Sequence, residues 1–145
     1  LDAAKMEPVL LLTLAQILLR GDHTFVAERL LWQGAQHWPE RADVLRAWSR
    51  VLISLGRPDA ARTALSKVVG LTPTDPVAQY LLARSLLSIE PRARANDVAA
   101  RAALTQVLTL APTYRDADGV DAREIKMVIE QLDQQIAGKK PAAPR

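Results

Sequence analysis

Gln36-His37-Trp38-Pro39, Gly70-Leu71-Thr72-Pro73 and Thr109-Leu110-Ala111-Pro112 are one phrase written three times, and the first two prolines stand 34 residues apart. Proline has no N–H to donate, and its ring crowds the preceding turn, so each phrase stops a helix. Stops that recur about every 34 residues mark a stacked helix-turn-helix array, in which each unit has an apolar face it cannot bury alone.

The columns between the stops agree. Shifted by 34, Leu14, Trp48 and Leu82 align, as do Ala15, Ser49 and Ala83, and Leu18, Leu52 and Leu86. In the second half of the unit Ala27 aligns with Ala61, Leu31 with Leu65, and Gly34 with Val68. The third unit repeats the order after five extra residues, with Ala100, Leu104, Val107, Leu110 and Pro112. Large apolar residues three and four apart define one helix face. The small columns fall where two helices must come close.

The second unit resembles the tetratricopeptide repeat family through Leu45, Trp48, Ser49, Leu52, Leu55-Gly56, Ala61, Leu65, Val68 and Pro73. The resemblance covers roughly residues 8–112. It implies an all-α fold, an α-α superhelix or solenoid, right-handed as in the family. Three helix-turn-helix repeats are expected at about 5–39, 40–73 and 74–112, then a capping helix at about 121–137. Residues 1–137 would form the repeat domain, and 138–145 a flexible basic tail. Units one and three depart from the family pattern. Arg20-Gly21-Asp22 puts the first turn glycine one residue out of register, and Ile89 to Asp97 holds the insertion of the third unit.

Stops and caps set the helices. Gly21, Pro39, Gly56 and Pro73 end them, Pro58 and Asp75-Pro76 open them, and Asp121 caps the last, whose stripe is Ile125, Val128, Ile129, Leu132 and Ile136. Asn96-Asp97 is expected to cap the sixth. The insertion is expected to lengthen a turn or extend its helices, and to tolerate a five-residue deletion.

Composition excludes several functions. The chain has 145 residues, no cysteine and a net charge of +3. Disulfides and thiolate zinc sites are therefore ruled out, and the compartment, cytoplasm or periplasm, stays open. Arginine outnumbers lysine heavily and alanine is abundant, which reads as a bacterial, GC-rich origin. No basic stripe interleaves with aromatics, so nucleic acid is not the expected partner. The apolar run from Val9 to Leu19 is too short and interrupted for a membrane span. It is a core helix that is apolar on other sides too, at Leu10, Leu12, Ile17 and Leu19. A missing upstream repeat or self-association through this first helix would cover it. Leu1 is not a start methionine, so a longer or processed precursor is expected.

No catalytic, cofactor or metal constellation is found. His23 and His37 lack a carboxylate at ligand spacing, and His37 is expected to pack half-buried. Asp116, Asp118, Asp121 and Glu124 lack the glycine and terminal glutamate of a calcium loop. Trp48 is expected in the core. In the family the first helix of each unit lines the concave surface. By the 34-residue shift, Gln16, Arg50 and Arg84 form one column there, Leu12, Arg46 and Tyr80 a second, and Arg20, Ser54 and Ser88 a third. Arginines suit forked bonds to carboxylates. The candidate partner-binding residues are Gln16, Arg20, Arg46, Arg50, Tyr80 and Arg84, and the expected partner is a protein or peptide, acidic in character. The function expected is a non-enzymatic protein-interaction scaffold in a bacterial assembly, secretion or cytochrome-maturation complex. The alternative is an interaction segment of a larger enzyme or regulator whose active domain lies upstream.

Overall fold

A computed structural model describes residues 2–138; of the basic tail expected at 138–145, all but Gly138 lies outside the described residues. Among the described residues seven α-helices follow a short 3-10 turn at Ala3–Lys5: α1 (Pro8–Arg20), α2 (Thr24–His37), α3 (Ala42–Ser54), α4 (Pro58–Leu71), α5 (Pro76–Ser88), α6 (Arg94–Leu110) and α7 (Ala122–Ile136). Among the described residues the only β pairing is an isolated bridge between Arg115 and Asp121. The chain divides into two compact units, Leu1–Thr72 and Pro73–Arg145, so the break falls beside the second of the repeated prolines.

In the first unit α1 pairs with α2 and α3 with α4, while α2 packs on α3 and α1 touches α3. Most columns read from sequence enter its core, although Leu18 is only half-buried. Leu11, Ala15, Ala27, Leu31, Ser49, Leu52, Ala61, Leu65 and Val68 are all buried. Ser49 is polar at a close helix approach, and its hydroxyl donates to the Leu45 carbonyl one turn back at 2.7 Å. Satisfied in this way, it can be buried without an orphaned donor. The column Leu14, Trp48, Leu82 is half-buried in each unit, so Trp48 stands at a rim rather than in the core.

The turn between α1 and α2 resolves the misplaced glycine. Asp22 aligns with Gly56, and both adopt the left-handed backbone, φ 59° and φ 70°. The following N–H groups make the same bond, His23 to Leu18 and Arg57 to Leu52, each at 2.9 Å. The register is therefore kept, with Asp22 in the strained position and Gly21 ordinary. His37 is exposed, contrary to the expected half-burial, and its ring meets Trp38 edge-on with centroids 4.7 Å apart. The column it shares is shallow, since Leu71 is exposed as well.

In the second unit α5 packs on α6 and α6 on α7. One core joins them: Ala83, Leu86, Ala100, Ala103, Leu104, Val107, Tyr114, Ile125 and Leu132. Asp75 caps α5, its carboxylate accepting from the N–H of Val77 and Ala78 at 3.0 and 3.3 Å. Asp121 and Glu124 form a reciprocal capping box on α7. The insertion is split. The link from α5 to α6 is longer than the corresponding links of the first unit, and α6 has 17 residues against 14 in α2 and α4. Its start differs from the expected cap. Ala93 is the N-cap, without a side-chain bond, and Asp97 lies inside the helix, held by Arg92 at 2.7 Å. Arg92 also donates to Gln135 of α7 at 3.0 Å, and Ile89 is buried. The inserted segment is thus packed, and a five-residue deletion there would remove contacts rather than slack.

Candidate functional site

The candidate residues fall into two groups, one in each unit. On α1, Gln16 and Arg20 are exposed; on α3, Arg46 and Arg50 are half-buried. Arg46 and Arg50 are one turn apart, which puts them on the same face of α3. The hydroxyl that follows in the next turn is folded back: Ser54 donates to the Arg50 carbonyl at 3.1 Å, and Ser88 to the Arg84 carbonyl at 2.8 Å.

In the second unit Tyr80 and Arg84 come together. Both line a cleft of about 400 Å³ between α5 and α7. Ala83 and Leu87 of α5, Leu104 of α6 and Val120, Ile125 and Val128 make its apolar wall, and Glu124 and Ser88 complete the lining. The cleft exists because α7 is set off by the loop after α6. That loop is fixed by Asp116, whose carboxylate accepts from the N–H of Asp118 and Val120, each at 3.0 Å, and from the Tyr114 hydroxyl at 3.2 Å. Gly119 takes φ 84°, which a side chain would resist. The acidic cluster is therefore occupied with building the loop and capping α7. Among the described residues no group of histidines and carboxylates is arranged to hold a metal ion.

Tyr80 rests on the buried ring of Tyr114, centroids 5.8 Å apart. Burial raises its pKa above the ordinary phenol value; Arg84 opposes this, and Asp116, Asp118 and Glu124 add to it. At neutral pH the hydroxyl is a neutral donor beside a fixed cation. An apolar wall flanked by a hydroxyl donor and a guanidinium suits a side chain or chain end that is apolar on one side and carboxylate on the other. Arg84 and Tyr80 were legible as repeat columns. Leu104, Val120, Glu124, Ile125 and Val128 were not, because their role depends on the offset of α7. Ile125 and Val128 carried a signal only as part of the apolar stripe of that helix.

Glu28 was also missed in the first unit. It accepts from the indole N–H of Trp48 at 2.9 Å and lies 3.6 Å from Arg57, so one carboxylate of α2 ties α3 and the turn after it. Its partner is 20 residues away, and no local pattern announces it.

Residues 26–85 match the model of the tetratricopeptide repeat family. Over that segment the chain carries tetratricopeptide repeat sequence. Solved structures extend the likeness of fold beyond that segment. The first tetratricopeptide domain of Spaghetti (RPAP3), bound to the HSP90 peptide SRMEEVD, matches with a TM-score of 0.73 at 13% identity, over 89% of this chain and 92% of that one. The Yersinia enterocolitica type III secretion chaperone SycD, in complex with a peptide of the translocator YopD, gives a TM-score of 0.73 at 13% identity, over 90% and 96%. The Sgt2 domain from Aspergillus fumigatus gives 0.70 at 15% identity, over 98% and 91%. No curated protein matches the chain. Among the described residues, no helix of these repeats is long and apolar enough to cross a membrane.

Proposed function

We propose that this tetratricopeptide repeat chain is a non-catalytic interaction module that binds a carboxylate-bearing peptide segment of a partner protein. The observation that carries the reading is the cleft of the second unit, where Tyr80 and Arg84 flank an apolar wall about 400 Å³ in extent. In the first unit Gln16, Arg20, Arg46 and Arg50 are the proposed contacts, by their columns on the first helices. Support comes also from two proteins of the same fold solved with peptides, one of them the acidic SRMEEVD. Arginine favours such a ligand, because its planar fork matches a carboxylate with two parallel bonds.

The proposed setting is a bacterial assembly or secretion complex, and the partner is captured from the native host on immobilised chain. Arg84→Glu bait tests the second unit and Arg50→Glu bait the first. A partner retained equally by wild type and by both variants would remove these residues from the site. Loss with Arg84→Glu, at unchanged helicity, is the result expected.

A further inference from the structure

A second surface lies outside the first helices, on the solvent face of α2. Phe25 is 78% exposed and Trp32 45%, the most exposed aromatic residues described. Phe25, Arg29 and Trp32 stand at i, i+4 and i+7, so they form one stripe. With Glu28 and Arg57 they line a depression of about 510 Å³. The fold does not require aromatics there. The same columns in α4 hold Asp59, Thr63 and Ser66, and in α6 Val98, Ala102 and Thr105, all of them exposed. Two of three units thus build the same helix with small, mostly polar residues at these positions. Only α2 places large rings in water, and buried aromatics and arginine are the residues that dominate binding energy at interfaces.

The charges on this face select the occupant. Arg29 and Arg57 are its cations. Its one acid, Glu28, is largely shielded and already engaged with Trp48 and Arg57. The accessible charge is therefore positive, around two rings. We infer that the α2 face docks an acidic amphipathic protein segment, with an apolar side chain set between Phe25 and Trp32 and carboxylates on Arg29 and Arg57. This docking surface is separate from the Tyr80–Arg84 cleft and does not depend on it.

The probe is a synthetic peptide of repeated Leu-Leu-Glu-Glu, titrated into isotopically labelled chain and followed by amide and indole N–H shifts. Controls are the Leu-Leu-Lys-Lys and Ser-Ser-Glu-Glu counterparts. The acidic apolar peptide is expected to shift signals of Phe25, Arg29 and Trp32 saturably, and the two controls are not. Phe25→Asp with Trp32→Ser installs the residues α4 already carries, so folding should persist while affinity falls about tenfold or more. Arg29→Glu should weaken binding by a similar factor. Arg84→Glu should leave these shifts unchanged, which separates this surface from the cleft. No α2 shifts with the acidic apolar peptide, or equal shifts with the lysine peptide, would overturn the inference. So would self-association of wild type that the Phe25→Asp, Trp32→Ser variant abolishes, since the face would then belong to a second copy.

Discussion

Gly34→Val tests the packing that the first unit is built on. The column holds Val68 and Val107 in the other units, so sequence alone would recommend valine here. The structure opposes it. A Cβ on Gly34 would lie 2.9 and 3.2 Å from the two Cδ atoms of Leu11 and 3.2 Å from Val44 Cγ1. Carbon contacts are comfortable at about 3.5–4.0 Å, so the first added atom already overlaps three methyls, and valine adds two more. Leu11 and Val44 are fully buried and cannot swing into solvent. Overpacking of this kind costs about 1–3 kcal/mol. Replacing a helical glycine returns only about 0.5 kcal/mol when the new residue is β-branched. The net loss expected is about 0.5–2.5 kcal/mol. Leu11→Ala alone should cost about 2–5 kcal/mol, but it vacates the space valine needs. The double variant should therefore lose at least about 1 kcal/mol less than the two single losses combined. Urea unfolding followed by tryptophan fluorescence reads this directly, because Trp32, Trp38 and Trp48 all lie in the first unit while both tyrosines lie in the second. A Gly34→Val protein as stable as wild type, or losses that simply add, would refute the reasoning.

Leu52→Ala and Leu65→Ala should each cost about 2–5 kcal/mol, because both side chains are fully buried in the first unit; losses below about 0.5 kcal/mol at both sites would mean the columns are misassigned. Asp22→Gly should stabilise the first unit by about 0.5–1 kcal/mol by relieving the left-handed backbone, whereas Asp22→Val should destabilise it. Acid should weaken both units. Bonding to Arg41 lowers the Asp43 pKa, and the backbone bond from Glu124 lowers that of Asp121. Each contribution is complete above the ordinary carboxylate pKa of about 3.9 and is lost as pH falls through the lower folded value. Tryptophan should report the loss in the first unit and tyrosine in the second, with Asp43→Asn and Asp121→Asn each flattening its own unit's acid slope.

How much of this was legible from the chain depends on the range of each interaction. Pro58, Asp75-Pro76 and Asp121 act within one turn, and the helices begin where those residues place them. The small columns succeeded for the same reason: Ala15, Ser49 and Ala83 repeat because the close approach repeats. Asp22 was obscured because glycine is the usual left-handed residue, and a glycine stood one position away. His37 was misjudged from a column whose other members lie near helix ends, where burial is shallow. The cleft of the second unit was legible only by half. Tyr80 and Arg84 sit on a repeating helix, but the opposite wall is set by the Asp116 loop, and nothing earlier in the chain repeats it. The aromatic stripe on α2 carries no repeat signal, and its meaning came only from the exposed, smaller residues of α4 and α6 in the same columns.

The most direct test of the central claim is selection of a random peptide display library on the immobilised chain, followed by titration of the enriched peptides. Peptides that combine carboxylates with apolar residues should emerge and bind the wild type more weakly as salt is added, since exposed charges are screened over about 8–10 Å near physiological ionic strength. Tyr80→Ala and Arg84→Glu should each weaken the best of them by about tenfold or more, with helicity unchanged. No enriched peptide family, or enriched peptides that bind both variants as tightly as wild type, would contradict the assignment of the cleft.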